Sequence, residues 1–242
     1  MNFKTQATIV IIFIASSSCF AQGLQFGVGL GFGFYGLEDL KALQSEALTN
    51  VSLRNVKSSE KFTNRFYGEY SFGYEFKNKS SLSMIYCNFN NAARNSVSDY
   101  SGRYSLDMII EGEKYGALYG FGFEYSDRII IGGSISAGVV ISEFFSEEKI
   151  TTNNQVLFSD KIELKGLNIY WEPSLLVKYK VCNNLYSQFR IGFEKNIVNE
   201  LYLKGDKEMK SSLDADWSGF RVAAGISYIF NSEKLNNGVS RL

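Results

Sequence analysis

The residues that could do chemistry in this chain are framed by one that is missing. Its 242 residues include 25 Lys and Arg, 25 Asp and Glu, and no histidine. Acid–base catalysis near neutral pH leans on His more than on any other side chain, and metal sites use it most often as a ligand. Without it, a Ser or Cys nucleophile would need Lys or a carboxylate as its base. The composition therefore points away from an enzyme, and predicts no catalytic residue, metal site or cofactor. What remains is a set of charges on one face of alternating segments: Arg65, Glu69, Glu75, Glu124, Glu172, Lys178, Arg190, Glu194 and Arg221. If that face is enclosed, these charges must pair, because a lone buried charge costs several kcal/mol. Acids and bases nearly cancel here. That balance favours a structural ion-pair network over a gated proton or ion path.

The elements that must position these charges follow from periodicity. Leu24, Phe26, Val28, Leu30, Phe32 and Phe34 alternate with Gln25, Gly27, Gly29, Gly31 and Gly33. This is the period-2 pattern of a strand with one apolar and one slim face. The glycines lack the G-x-G-x-x-G spacing of a nucleotide loop, so they read as the inner face of a narrow barrel. The pattern recurs at about 62–76, 81–86, 103–125, 129–141, 167–179, 185–194 and 219–230. An apolar run at 104–110 invites a ninth strand. Nine would place the termini on opposite sides of a membrane, and single-chain bacterial barrels have even strand numbers, so 103–125 is taken as one long strand.

The expected fold is thus all-β: an eight-stranded antiparallel transmembrane β-barrel with short periplasmic turns, long outer loops and a short helix in the first loop. The turns fall at 77–80, 126–128 and 181–184, and the long connections at 35–61, 91–102, 146–160 and 197–216. Apolar residues at helical spacing over 36–49 predict the helix. Pro173 cannot donate to a ladder, so a bulge or bend is expected between Gly166 and Pro173. Glu69, Glu172 and Arg190 fall near mid-height, with Arg65, Glu194 and Arg221 above. The turn at Cys182-Asn183 sets Arg190 opposite Ser174. It then reaches diagonally to Glu172, with Glu69 facing both across the lumen.

The N-terminus adds a compartment. Lys4, the apolar run Ala7 to Ala15, and small residues Cys19 and Ala21 before Gln22 make a secretory signal peptide over 1–21. A lipoprotein signal acylated at Cys19 is the alternative, although Ser16 stands where such signals carry Leu. The barrel domain covers 22–230 and a tail covers 231–242. After cleavage the acids exceed the bases by one, so no basic excess attracts nucleic acid. Cys87 and Cys182 sit far apart in this scheme and are expected as free thiols.

At Arg221 to Phe230 the chain resembles the C-terminal insertion signal of outer-membrane barrels, Gly-x-x-aromatic-x-aromatic, through Gly225, Tyr228 and Phe230. Together with the signal ending and the eight-strand plan, the mature chain resembles the porin-family outer-membrane β-barrel domain, which includes small OmpA/OmpX-like barrels and PorT-like proteins. The resemblance implies a Gram-negative outer membrane, with its lipid and the barrel-insertion machinery as partners. It carries no catalytic residue. The expected role is a non-enzymatic integral membrane protein with a structural or surface-contact function. The alternatives are a PorT-like assembly factor or subunit of an envelope secretion machine, with an envelope protein as partner, and, less favoured, a small-solute channel.

Overall fold

In the computed structural model, residues 21–50, 57–100, 102–153, 155–198 and 200–231 are described. The predicted signal peptide and most of the tail lie outside them. The described residues form eleven strands and one helix: β1 (Ala21–Gly33), α1 (Glu38–Asn50), β2 (Lys57–Glu60), β3 (Arg65–Phe76), β4 (Ser81–Asp99), β5 (Gly102–Ser126), β6 (Ile129–Thr152), β7 (Gln155–Cys182), β8 (Leu185–Val198), β9 (Glu200–Leu203), β10 (Asp206–Asp214) and β11 (Gly219–Asn231). Antiparallel ladders run β1-β3-β4-β5-β6-β7-β8-β11 and return to β1, closing a ring of eight strands. A closed ring leaves no unpaired edge, which is what a hydrocarbon surround demands of strands.

The outer face of this ring is apolar. On β5 the outward side chains Tyr115, Tyr119, Phe121, Phe123 and Tyr125 are exposed, as are Leu167, Ile169, Trp171, Leu175, Val177 and Tyr179 on β7. The β5 band from 115 to 125 matches the roughly 9–11 residues with which a tilted strand crosses a bilayer. Short turns join β3 to β4, β5 to β6 and β7 to β8 at the end where β1 begins and β11 finishes.

At the other end the wall is unequal. Strands β1, β3, β8 and β11 have 13, 12, 14 and 13 residues, whereas β4 to β7 have 19, 25, 24 and 28. The predicted outer connections 91–102 and 146–160 are therefore mostly ladder, paired from Asn91↔Ile110 to Asp99↔Gly102 and from Ser146↔Ile162 to Thr152↔Gln155. The third strand does not stop before the Asn-rich stretch but continues through it. The connection 197–216 folds as the β9–β10 hairpin against β7. Helix α1 stands in the wall space left between β2 and β10. Gln44 donates to Ser58 Oγ at 2.8 Å and to Asn95 Oδ1 at 3.2 Å, and the Asp214 amide donates to Asp39 at 3.1 Å.

The irregularity expected near Pro173 is found in the β7–β8 ladder. Its register slips between Ile169↔Val198 and Tyr170↔Asn196, so Ile197 is an extra residue on β8. The β6 side continues through Ile135↔Pro173 without a shift.

Candidate functional site: the barrel interior

The interior has two storeys. The lower one, within the apolar band, is polar because β1 offers glycines inward and the facing strands offer charges. Glu69, Glu75, Lys114, Glu172, Lys178, Arg190, Glu194 and Arg221 are all buried there. These are four acids and four bases, so the set is neutral. Arg190 contacts Glu69 at 2.5 Å and Glu172 at 3.7 Å. Lys114 contacts Glu172 at 2.5 Å and Glu194 at 2.8 Å, and Arg221 meets Glu194 at 3.3 Å. Charges thus alternate in sign along Glu69, Arg190, Glu172, Lys114, Glu194 and Arg221, tying β3, β8, β7, β5 and β11 together across the lumen. Lys178 and Glu75 form a separate pair at 2.9 Å, nearer the periplasmic turns.

Several predicted positions move. Glu124 was expected inside but stands at the rim beside Lys79 at 3.0 Å, its side chain 58% exposed. The β5–β6 register shifts between Glu124 and Ser126 at this strand end, and the carboxylate stands in water. Arg65 is half-buried at the outer end of β3. Arg190 pairs in register with Leu176 rather than Ser174, because Cys182 pairs with Leu185 and the β7–β8 turn is centred on Asn183-Asn184 instead of Cys182-Asn183. The long guanidinium still reaches Glu172. Lys114, which bridges two carboxylates and lies 4.2 Å from the Tyr170 ring centroid, was missing from the sequence-derived set. Its signal was parity: it shares the inward face of β5 with Gly116 and Gly120. Gly225 sits in the β1–β11 ladder opposite Gly29, while Tyr228 and Phe230 face outward near the strand end. Cys87 is buried and free, and Cys182 is exposed and free.

The upper storey lies beyond the lipid band and is apolar. Tyr35, Leu37, Leu40, Phe89, Met108, Ile110, Val140, Phe144, Leu164, Leu201 and Trp217 form one buried cluster. Trp217 packs edge-on against Tyr35 at 5.1 Å and Phe89 at 4.5 Å between centroids, and its indole N–H donates to Ser142 Oγ at 2.9 Å. Backbone bonds from Gly36 to Ser218 and Leu37 to Asp216 fold the 34–37 and 215–218 segments inward as a lid. Gly219, with φ 151°, permits this approach, since a Cβ there would lie 1.7 Å from the Phe34 carbonyl oxygen. The two storeys meet where Arg221 donates to the Trp217 carbonyl at 2.6 Å and covers the Tyr35 ring.

Chemically this interior is filled rather than hollow. A void beside Glu69 and Arg190 measures about 10 Å³, the volume of about one water. Among the described residues, no group of three or more Cys, Asp and Glu side chains is placed to hold a metal ion. Outside the barrel wall, above the lipid band, Glu143 and Lys165 pair at 2.5 Å, Glu147 and Lys161 at 3.4 Å, and Glu163 pairs with Lys204. The hydrogen bond from Lys204 holds the Glu163 carboxyl below the usual carboxylate range. Exposed pairs of this kind contribute about 0–1 kcal/mol each.

No family model and no curated protein matches the chain. Solved structures with a similar outline include Neisserial surface protein A (13% identity, 87% of this chain and 99% of that one, TM-score 0.39). Others are a major outer membrane protein from Thermus thermophilus (10%, 86% and 99%, 0.45) and the outer membrane protein OprG from Pseudomonas aeruginosa (12%, 88% and 97%, 0.45). These likenesses are of outline and carry no reading of activity. The fold class rests on the chain's own closed ring and apolar outer band: an eight-stranded antiparallel β-barrel of the outer-membrane type.

Proposed function

We propose that this is a non-enzymatic barrel of the outer membrane that holds a rigid β-structure above the lipid for contact at the cell surface. The supporting observation is that both storeys of the interior are filled while β4 to β7 continue past the lipid band. Residues 102–113 of β5 alone extend the wall by about 35 Å along the strand, at about 3.3 Å per residue. A barrel serving transport would keep an open lumen; here paired charges and an aromatic lid occupy it.

Planar-bilayer recording of the refolded protein tests this. The expected record shows no stable conductance, and steady openings of porin size would overturn the reading. Fractionation is expected to recover the protein in the outer membrane with heat-modifiable gel mobility. Recovery as a soluble periplasmic protein would overturn the location.

A further inference from the structure

The outward face of the projecting sheet carries a groove of about 570 Å³ between the β4–β5 and β6–β7 turns. Two of its cations stand without an opposite charge among the described residues. Its two acids are already held: Asp107 takes a bidentate pair from Arg94, and Glu147 is paired with Lys161. Among the described residues, neither Arg103 nor Lys149 has an ion-pair partner. The register Arg103↔Thr151 and Ser105↔Lys149 makes these two cations diagonal neighbours on one face, within reach of a single small ligand. Hydroxyls of Ser105 and Thr151 lie between them in the same lining. Tyr100, at the rim, is fully exposed.

We propose that this groove binds an anionic saccharide, a sugar bearing carboxylate or phosphate groups. The two free cations supply charge-assisted hydrogen bonds to the anion. Ser105 and Thr151 meet sugar hydroxyls, and the Tyr100 ring offers an apolar plate with a polar tip for a sugar face. A bare anion would need the cations alone; the exposed aromatic and the hydroxyls beside them are what select a sugar. The inference rests on the surface-contact reading above and names the ligand class for it.

The test uses the full mature protein folded in lipid nanodiscs, titrated calorimetrically with tetragalacturonate, maltotetraose and pyrophosphate. Saturable binding of tetragalacturonate, weakened by salt, is expected, with no binding of maltotetraose. Arg103→Ser and Lys149→Ser should each weaken it about tenfold, and Tyr100→Ala about fivefold. Heat-modifiable mobility verifies that each variant is folded. No saturable binding overturns the proposal, as does pyrophosphate binding equally well with Tyr100→Ala without effect. Competition by dispersed lipopolysaccharide would assign the sugar to the cell's own envelope, and failure to compete would assign it to a foreign glycan; either supports the site. Labelling of Ser105→Cys on intact cells tests the surface reading separately. Loss of labelling overturns that reading without touching the binding result, and labelling without binding overturns the groove alone.

Discussion

Within one continuous wall, the barrel fills its interior in two opposite ways. Between the lipid-facing bands the inside is charged and the outside apolar; beyond them the inside is apolar and the outside charged. On β5 the change is visible in a single strand. Below residue 113 in the fold's height, Tyr115, Phe121 and Phe123 face lipid while Lys114 and Gly116 face in. Above it, Met108 and Ile110 face in while Arg103, Asp107 and Glu111 face water. The strand does not break; the polarity of its two faces exchanges. Lipid already solvates the outer apolar face of the lower storey, so its interior gains little from apolar filling and can carry paired charge. The upper storey has water outside, and only a conventional hydrophobic core can hold it.

The first way to break this comparison is Lys114→Met. It strands Glu172 and Glu194 together, and loss of a partner from a buried pair costs about 3–5 kcal/mol. Urea unfolding in micelles, followed by gel mobility, should show the largest destabilisation of any single substitution in the molecule. A loss near zero would mean the charged storey does not act as a network.

Trp217→Ala attacks the other storey and should cost about 3 kcal/mol through the cavity it leaves. Its effect should be local. Hydrogen exchange is expected to quicken in α1 and in 215–218 while the β1–β11 ladder stays protected. Bilayers should remain silent, because the charged storey still closes the lumen; conductance in this variant would show that the lid alone had sealed it.

Double-mutant cycles sharpen the lower storey. Arg190 lies 2.5 Å from Glu69 and 3.7 Å from Glu172, so Arg190→Leu should couple more strongly to Glu69→Leu than to Glu172→Leu. Coupling energies within about 0.5–3 kcal/mol are expected. Strict additivity with Glu172→Leu would leave Glu172 to Lys114 alone.

The smallest expected effect is a pH dependence at the helix. Burial, then the charge of Asp39, raises the Asp214 carboxyl above its ordinary range. A raised acid favours the folded state when protonated, so this contribution is present at low pH and lost as pH rises through the raised value. The protection factors of the α1 amides, with the intrinsic base-catalysed exchange rate divided out, should be higher in mild acid than at neutrality, and Asp214→Asn should remove the difference.

Much of this protein is written in local alternation. The lipid-facing ladders of β5, β6 and β7, the three short turns and the inward parity of Glu69, Glu172, Glu194 and Arg221 follow from period 2, because a strand's faces are set by backbone geometry alone. The helix after Gly36 follows from its own helical spacing. Local pattern failed where two patterns of opposite parity join. Tyr104, Leu106, Met108 and Ile110 look like a separate strand beside Tyr115 to Tyr125, since apolar residues move from even to odd positions although the backbone runs straight through. Lys114 sits at that junction and was lost with it. The register of Arg190, the position of Glu124 at a rim and the lid built from Tyr35 and Trp217 were decided only in three dimensions. Each depends on how far a strand slides against its neighbour, on where a wall ends, or on contacts between segments at opposite ends of the chain, and periodicity within one segment contains none of these.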